Sequence, residues 1–147
     1  VVPELSEVTE MGKAYKPLQV AIFSKLTSDS NLMSLVQSRV LNQGAQNTPY
    51  PLLEIERMST SPMLTRESTG TIEYVTVYIS AWDAAESWDL LDQISARVCT
   101  LLDKQVLTQD NYKFEIRLEF SEQLQGSSGD LRHISMRFRV LAADDPL

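Results

Sequence analysis

Two stretches near the end of the chain alternate with a period of two, and they limit its fold more than any other feature. Tyr112, Phe114, Ile116, Leu118 and Phe120 alternate with Lys113, Glu115, Arg117 and Glu119. Ile134, Met136, Phe138 and Val140 alternate with His133, Ser135, Arg137 and Arg139. Successive side chains of a strand point to opposite faces, so the large apolar groups fall on one side and the charges on the other. Strands of this kind have one face on a core and one in water, as in antiparallel sheets. The segment between them, Ser121 to Asp130, contains Gly126 and Gly129 and reads as a loop closing a hairpin. Acidic positions on one strand are expected opposite basic positions on the other, each matched pair contributing roughly 0.2–1 kcal/mol.

A two-stranded hairpin is marginal alone, so further strands and a covering layer are required. Thr71 to Trp82 supplies a strand, with Val75, Val77, Ile79 and Ala81 on one face and Tyr74, Thr76, Tyr78 and Trp82 on the other. Leu52 to Met58 supplies another, entered through Pro49 and Pro51, which suit a strand entrance. Ser59 to Gly70, with Pro62 inside it, reads as a polar loop, and loops of about 12 residues are long for a compact domain. The covering layer comes after Trp82. Asp83 and Glu86 have the spacing of a capping box. Beyond them Ser87, Leu91, Ile94, Val98, Leu101 and Leu102 form one stripe of a long helix, with Glu86, Asp89, Gln93, Arg97 and Thr100 on the other side. The expected architecture is α+β: four mainly antiparallel strands with the long helix packed on one face and a leading helix before them.

That leading helix is expected over Pro17 to Ser28, with Pro17 at a first-turn position where its missing N–H costs nothing. Leu18, Ala21, Ile22 and Leu26 make one apolar stripe, while Val20 and Phe23 point elsewhere. A helix apolar on two faces is buried on both, by the preceding arm or by another subunit. Asp29 or Ser30 caps a short second helix carrying Leu32, Leu35 and Val36, and Asn42 to Thr48 reads as a turn-rich link. The chain thus divides into an N-terminal arm (1–15), one domain (16–143) and a short acidic tail (144–147).

The 147 residues carry a net charge of −7. This argues against a protein that grips a nucleic-acid backbone, which takes clustered Lys and Arg. It does not argue against one through which DNA merely passes. A single cysteine, Cys99, makes no internal disulfide, which fits a reducing compartment, and a single histidine, His133, cannot anchor a multi-imidazole metal site. No apolar run approaches the ~18 residues of a membrane-spanning helix.

Catalytic candidates weaken one by one. Cys99 flanks the apolar stripe of the long helix with no second cysteine or basic cluster nearby in sequence, which reads as packing. His133 lies on a polar strand face, solvated or paired across the strand, and titrates near neutrality. Glu54 and Glu56 share a strand face and read as its wet side, although paired carboxylates are also what a hard metal takes. Asp110, Lys113 and Glu115 are the nearest imitation of a nuclease cluster. No nucleophile elbow, zinc-helix motif, phosphate loop or dinucleotide fingerprint occurs. The expectation is a protein that is not an enzyme and holds no cofactor.

The order of elements is itself informative. A helix and a short helix lead to YPLLEIERM (Tyr50 to Met58), then to a strand ending VYISAWD (Val77 to Asp83). The helix LLDQISARVCTLL (Leu90 to Leu102) comes next, and the hairpin closes in RHISMRFRVLA (Arg132 to Ala142). In this order, in the Pro49-Tyr50-Pro51 entrance, in Trp82 closing its strand and in Arg137 to Leu141 as the final strand, the chain resembles the tail-terminator, or tail-completion, family of long-tailed bacteriophages. The likeness runs over about Pro17 to Ala143.

The resemblance implies a structural virion protein of the head–tail joint. Six copies are expected to form a ring that caps the head-proximal end of the tail tube and stops its polymerisation. The implied partners are further copies of the chain, the tail-tube protein, the head connector or stopper, and double-stranded DNA passing through without sequence-specific binding. No membrane is involved, and assembly in the host cytoplasm precedes residence in the virion. A ring needs a heterologous interface that closes. Val20 and Phe23, the arm and the exposed sheet edge are the candidates for it. Met63, Arg66, Glu67, Gln125 and Ser127, on the two long loops, are the candidate contacts to tube or connector. Glu115, Arg117, Glu119, Arg137 and Arg139 are the candidate channel-facing residues. Their mixed charge leaves two readings: they pair among themselves, or this face meets a neighbour. A tail-tube subunit, a connector-side adaptor and, more remotely, a metal-dependent hydrolase using Glu54 and Glu56 are the alternatives.

Overall fold

The alternating segments fold as their spacing predicts, as the middle of a sheet larger than expected. A computed structural model describes residues 14–42, 49–62, 72–84, 87–125 and 131–144. Its helices are α1 (Tyr15–Thr27), α2 (Ser30–Val36) and α3 (Asp89–Leu102). Its strands are β1 (Val40–Asn42), β2 (Leu52–Pro62), β3 (Ile72–Asp83), β4 (Val106–Gln109), β5 (Tyr112–Gln125) and β6 (Arg132–Asp144). The strands form one six-stranded sheet in the order β1-β2-β3-β6-β5-β4. Only β1 and β2 run parallel; every other neighbouring pair is antiparallel.

The core lies on one face of this sheet. Val75, Val77, Ile79 and Ala81 of β3, Phe114 and Ile116 of β5, and Ile134, Met136, Phe138 and Val140 of β6 are all buried there. The helices cover them with Leu18, Ile22 and Leu26 of α1, Leu32 and Val36 of α2, and Leu91, Ile94, Val98 and Leu102 of α3. Side chains of this size contribute roughly 1.5–3 kcal/mol each when fully withdrawn from water. The described helices sit on this one face. The other face, opened by the same alternation, holds the polar and aromatic residues.

The expected four strands are corrected to six. β1 has three residues and β4 four, too short to show an alternation of their own. β4 turns into β5 through Asp110 and Asn111, whose φ values of 51° and 68° lie in the left-handed region. Asn and Asp tolerate that region, and two positive φ values in a row suit a tight hairpin.

Other boundaries also move. β2 continues to Pro62 and β5 to Gln125, so Ser59–Pro62 and Ser121–Gln125 are strand and not loop. α1 starts at Tyr15, which puts Pro17 third in the helix, still in the first turn where its N–H has no intrahelical partner. α3 starts only at Asp89, with Trp88 at the cap position. Asp83 instead ends β3, and its Oδ1 accepts from the Ala84 N–H at 2.9 Å; Glu86 is outside the described residues. Ser87 is an exposed residue before the helix, and Leu101 is half-buried.

Of the two cap candidates it is Asp29 that caps α2, its Oδ2 accepting from the Leu32 N–H at 2.9 Å. Arg97 of α3 donates to the same carboxylate, Nε to Oδ2 at 2.8 Å and Nη2 to Oδ1 at 2.6 Å. This planar two-pronged pairing is the stronger class of side-chain hydrogen bond, and here it ties two helices of the covering layer together.

Two register shifts bend the pattern. One lies between Ile55 and Arg57 of β2, the other between Leu118 and Phe120 of β5. Each inserts a residue, Glu56 or Glu119, that has no partner across the ladder, and reverses the facing of the residues after it. Phe120 therefore leaves the core face on which plain alternation places it. It stands opposite Arg137 on the open face, 40% exposed.

Candidate assembly surfaces

The open face is built in rungs set by the strand register. At one level Leu52, Trp82, His133 and Leu124 lie side by side across β2, β3, β6 and β5. The Trp82 and His133 rings stack at 4.0 Å with 17° between their planes. Trp82 Nε1–H donates to Glu54 Oε1 at 3.2 Å, and the buried Ser80 hydroxyl donates to Glu56 Oε1 at 2.7 Å. Burial pushes the His133 pKa below its ordinary 6.5, partly opposed by the charges of Glu56 and Glu122. His133 is thus a cross-strand ring partner held towards its neutral form.

The next rungs interleave arginines and rings. Arg57, Tyr78, Arg137 and Phe120 share one level. The Arg57 guanidinium lies 4.3 Å from the Tyr78 ring centre and that of Arg137 4.1 Å from Phe120. Arg139 lies 4.0 Å above Tyr74. Cations laid over rings in this way gain about 0.5–1 kcal/mol at exposed sites. Arg137 Nε also faces Glu119 Oε1 at 3.1 Å.

The expected opposition of acids to bases across β5 and β6 is corrected by the register. Arg117 stands directly opposite Arg139, Glu115 opposite Leu141 and Lys113 opposite Ala143. Like charges face each other at Arg117 and Arg139, and Arg139 turns to its ring. The ion pair this region does make, Glu119 to Arg137, exists because the bulge places Glu119 beside the rung instead of on it. Tyr74, Glu115, Arg117, Glu119, Arg139 and Leu141 surround a shallow concavity of ≈ 480 Å³ on this face.

The five channel-facing candidates, Glu115, Arg117, Glu119, Arg137 and Arg139, are thus brought together in one region. Val20 and Phe23 are half-buried on α1, with Phe23 packed partly against the core. Gln125 is the exposed last residue of β5. Met63, Arg66, Glu67 and Ser127 lie outside the described residues, as does the arm up to Lys13.

The catalytic candidates stay apart. Glu54 and Glu56 take separate donors, Trp82 and Ser80. Asp110 is in the β4–β5 turn, away from the strand positions of Lys113 and Glu115. Cys99 packs against the core, and burial, then the charge of Asp103, pushes its thiol pKa up. Among the described residues no group of three or more His, Cys, Asp or Glu is placed to hold a metal ion. At the far end of the core Glu73, 2% exposed, accepts from the Thr60 hydroxyl at 2.8 Å. Tyr15 lies near it, its phenol pKa raised by burial and then by the Glu73 charge. No described helix is long and apolar enough to cross a membrane.

Comparison with protein families decides the kinship. Residues 20–143 match the model of the family described as tail completion protein gp17. The chain belongs to that family. It is a phage tail completion protein, a structural component of the virion. The tail completion fold also recurs in solved structures. A chain of a native gene transfer agent virion matches with a TM-score of 0.80 at 17% identity, over 90% of this chain and 98% of that one. The gp17 protein of bacteriophage SPP1 matches with a TM-score of 0.62 at 26% identity, over 86% of this chain and 89% of that one. A search of curated proteins finds no match. As a tail completion protein of the virion, it works among other virion components.

Proposed function

We propose that this tail completion protein closes into a ring of six copies at the head-proximal end of the tail tube. The ring ends tube growth, docks onto the head connector or stopper and leaves a lumen for DNA. The observation that carries this reading is the one-sided build of the domain. The described helices cover one face of a six-stranded sheet, while the other face keeps polar and aromatic rungs in the open. A ring of such domains with the sheets inward has a continuous wall of those rungs around its axis.

Charge on that wall supports passage over capture. Glu54, Glu115, Glu119 and Glu122 interleave with Arg57, Arg117, Arg137 and Arg139 on the open side, and three of those arginines are laid over rings. Tight binding to the duplex takes clustered, uncompensated cations that displace its counterions. The arginines of this wall are partly compensated, by Glu119 and by the rings beneath three of them, and the chain as a whole repels DNA with its charge of −7. The half-buried flank of α1 with Val20 and Phe23, together with the arm, is assigned to contacts between copies. The β2–β3 and β5–β6 connections, with Met63, Arg66, Glu67 and Ser127, and Gln125 at the end of β5, are assigned to tube and connector.

Electron microscopy of the purified chain tests this against the tail-tube alternative. Discrete rings of one diameter are the expected result. Open-ended tubes from the chain alone overturn it, because a tube subunit polymerises without a stop.

A further inference from the structure

The two edges of the sheet are each covered at one end only, and the covered ends are diagonally opposed. Beside β5, β4 runs from Val106 opposite Glu115 to Gln109 opposite Tyr112. Lys104 and Gln105 extend that cover by bonding Ile116, at 2.8 and 2.9 Å. Beyond the Glu119 bulge, the outer edge of β5 has no strand beside it among the described residues. On the other side β1 pairs β2 only from Val40 opposite Leu53 to Asn42 opposite Ile55. Past the Glu56 bulge, the outer edge of β2 is likewise bare among the described residues.

Following the register across the sheet fixes the levels. Leu41 is level with Glu54, Ser80, Ser135 and, at the far edge, Glu122. β1 is thus level with the bare stretch of β5. In the same way Val106, through Glu115, Leu141 and Tyr74, is level with Ser61 on the bare stretch of β2. The directions agree too. β1 runs with β2, and the alternation through β3, β6 and β5 makes β4 run with β2 as well.

We propose that a second copy of this chain completes each edge, with β4 of one copy and β1 of the next filling a single strand position between them. The proposal rests on the ring reading and specifies its seam. Two copies side by side at one level bring β4 of the first and β1 of the second into the gap between β5 of the first and β2 of the second. The two short strands lie end to end, run the same way and do not compete for space. β1 of the second copy pairs antiparallel to Ser121–Gln123 of β5, and Gln105–Leu107 of the first, leading into β4, lie parallel to Thr60–Pro62 at the end of β2. Backbone groups at Ser121–Gln123 of β5 and at Thr60 and Ser61 of β2, on edges that otherwise invite uncontrolled pairing, meet a partner whose own shape limits the contact to one neighbour on each side. The second copy is the occupant because β1 meets the recess beside β5, and the segment entering β4 meets the recess beside the end of β2, each at the same level and in the right direction.

Disulfide trapping tests the seam. Leu41→Cys and Glu122→Cys are introduced together on a Cys99→Ser background. Within one chain these positions are four strand spacings apart, ~19 Å, beyond the reach of a disulfide, which needs Cα atoms within about 7 Å. Mild oxidation is expected to give a reducible ladder of covalent multimers, while each single variant stays monomeric on a denaturing gel. If the unsubstituted chain has the mass of a ring but the double variant gives no ladder, the seam is wrong and the ring stands. Dimers formed as readily by either single variant also overturn the seam. A monomeric mass for the unsubstituted chain overturns the ring reading and the seam with it.

Discussion

Arg97 holds the carboxylate of Asp29 through two hydrogen bonds across 68 residues of sequence, while that carboxylate caps α2. The bonds to Arg97 come first, and the cap bond second, in lowering the Asp29 pKa from 3.8 to about 2. A folded-state pKa below the unfolded one means that the unfolded chain takes up the proton first as pH falls. The stabilisation from Asp29 is therefore complete above about pH 4 and is lost as pH falls towards 2. Asp29→Ala is expected to lower Tm at pH 7, and its deficit relative to the parent chain is expected to shrink between pH 4 and 2. Thermal melts across that range check this; a deficit that grows with acid contradicts it.

The Trp82–His133 stack responds in a different window. With its pKa below 6.5, His133 contributes stability that is present above pH 6.5 and is lost as pH falls through its folded value. His133→Phe keeps a ring over Trp82 and is expected to flatten this part of the pH–Tm curve. His133→Ala is expected to cost about 0.5–1.5 kcal/mol at neutral pH, the typical worth of a ring pair beyond its area. An unchanged pH profile for His133→Phe sinks the assignment.

Phe138 is fully buried at the centre of the sheet, opposite Val77 and Leu118. Phe138→Ala is expected to cost ~3–5 kcal/mol in denaturant titration. On the open face the cost is small. A double-mutant cycle on Glu119→Ala and Arg137→Ala is expected to give a coupling of ~0.2–1 kcal/mol, since both side chains are partly exposed. A coupling several times larger contradicts the description of this pair as a surface contact.

Much of the fold is legible because the long elements carry their own period. The alternation of β3, β5 and β6 marks their core face residue by residue, and the stripe of Leu91, Ile94 and Val98 marks α3. Short elements have no period to read. β4 escapes a reading by periodicity, even though its turn, Asp110-Asn111, carries residues suited to positive φ and directly precedes a clear strand. β1 leaves no comparable trace, since its three residues are held by the parallel ladder to β2. The bulges at Glu56 and Glu119 are also silent in sequence. An extra residue shows only when the partner strand is present, so alternation alone puts Phe120 on the core face and gives no sign that Arg117 opposes Arg139. The grouping of Glu115, Arg117, Glu119, Arg137 and Arg139 on one face comes directly from alternation. How their charges are handled, by rings as much as by ion pairs, requires the register.

The mass of the purified full-length chain in solution is the most direct test of the ring. Native mass spectrometry is expected to show one closed species of six copies of the 16.6 kDa chain, unchanged over a wide dilution series. A monomer throughout the series, or a distribution that lengthens without limit as concentration rises, contradicts the account.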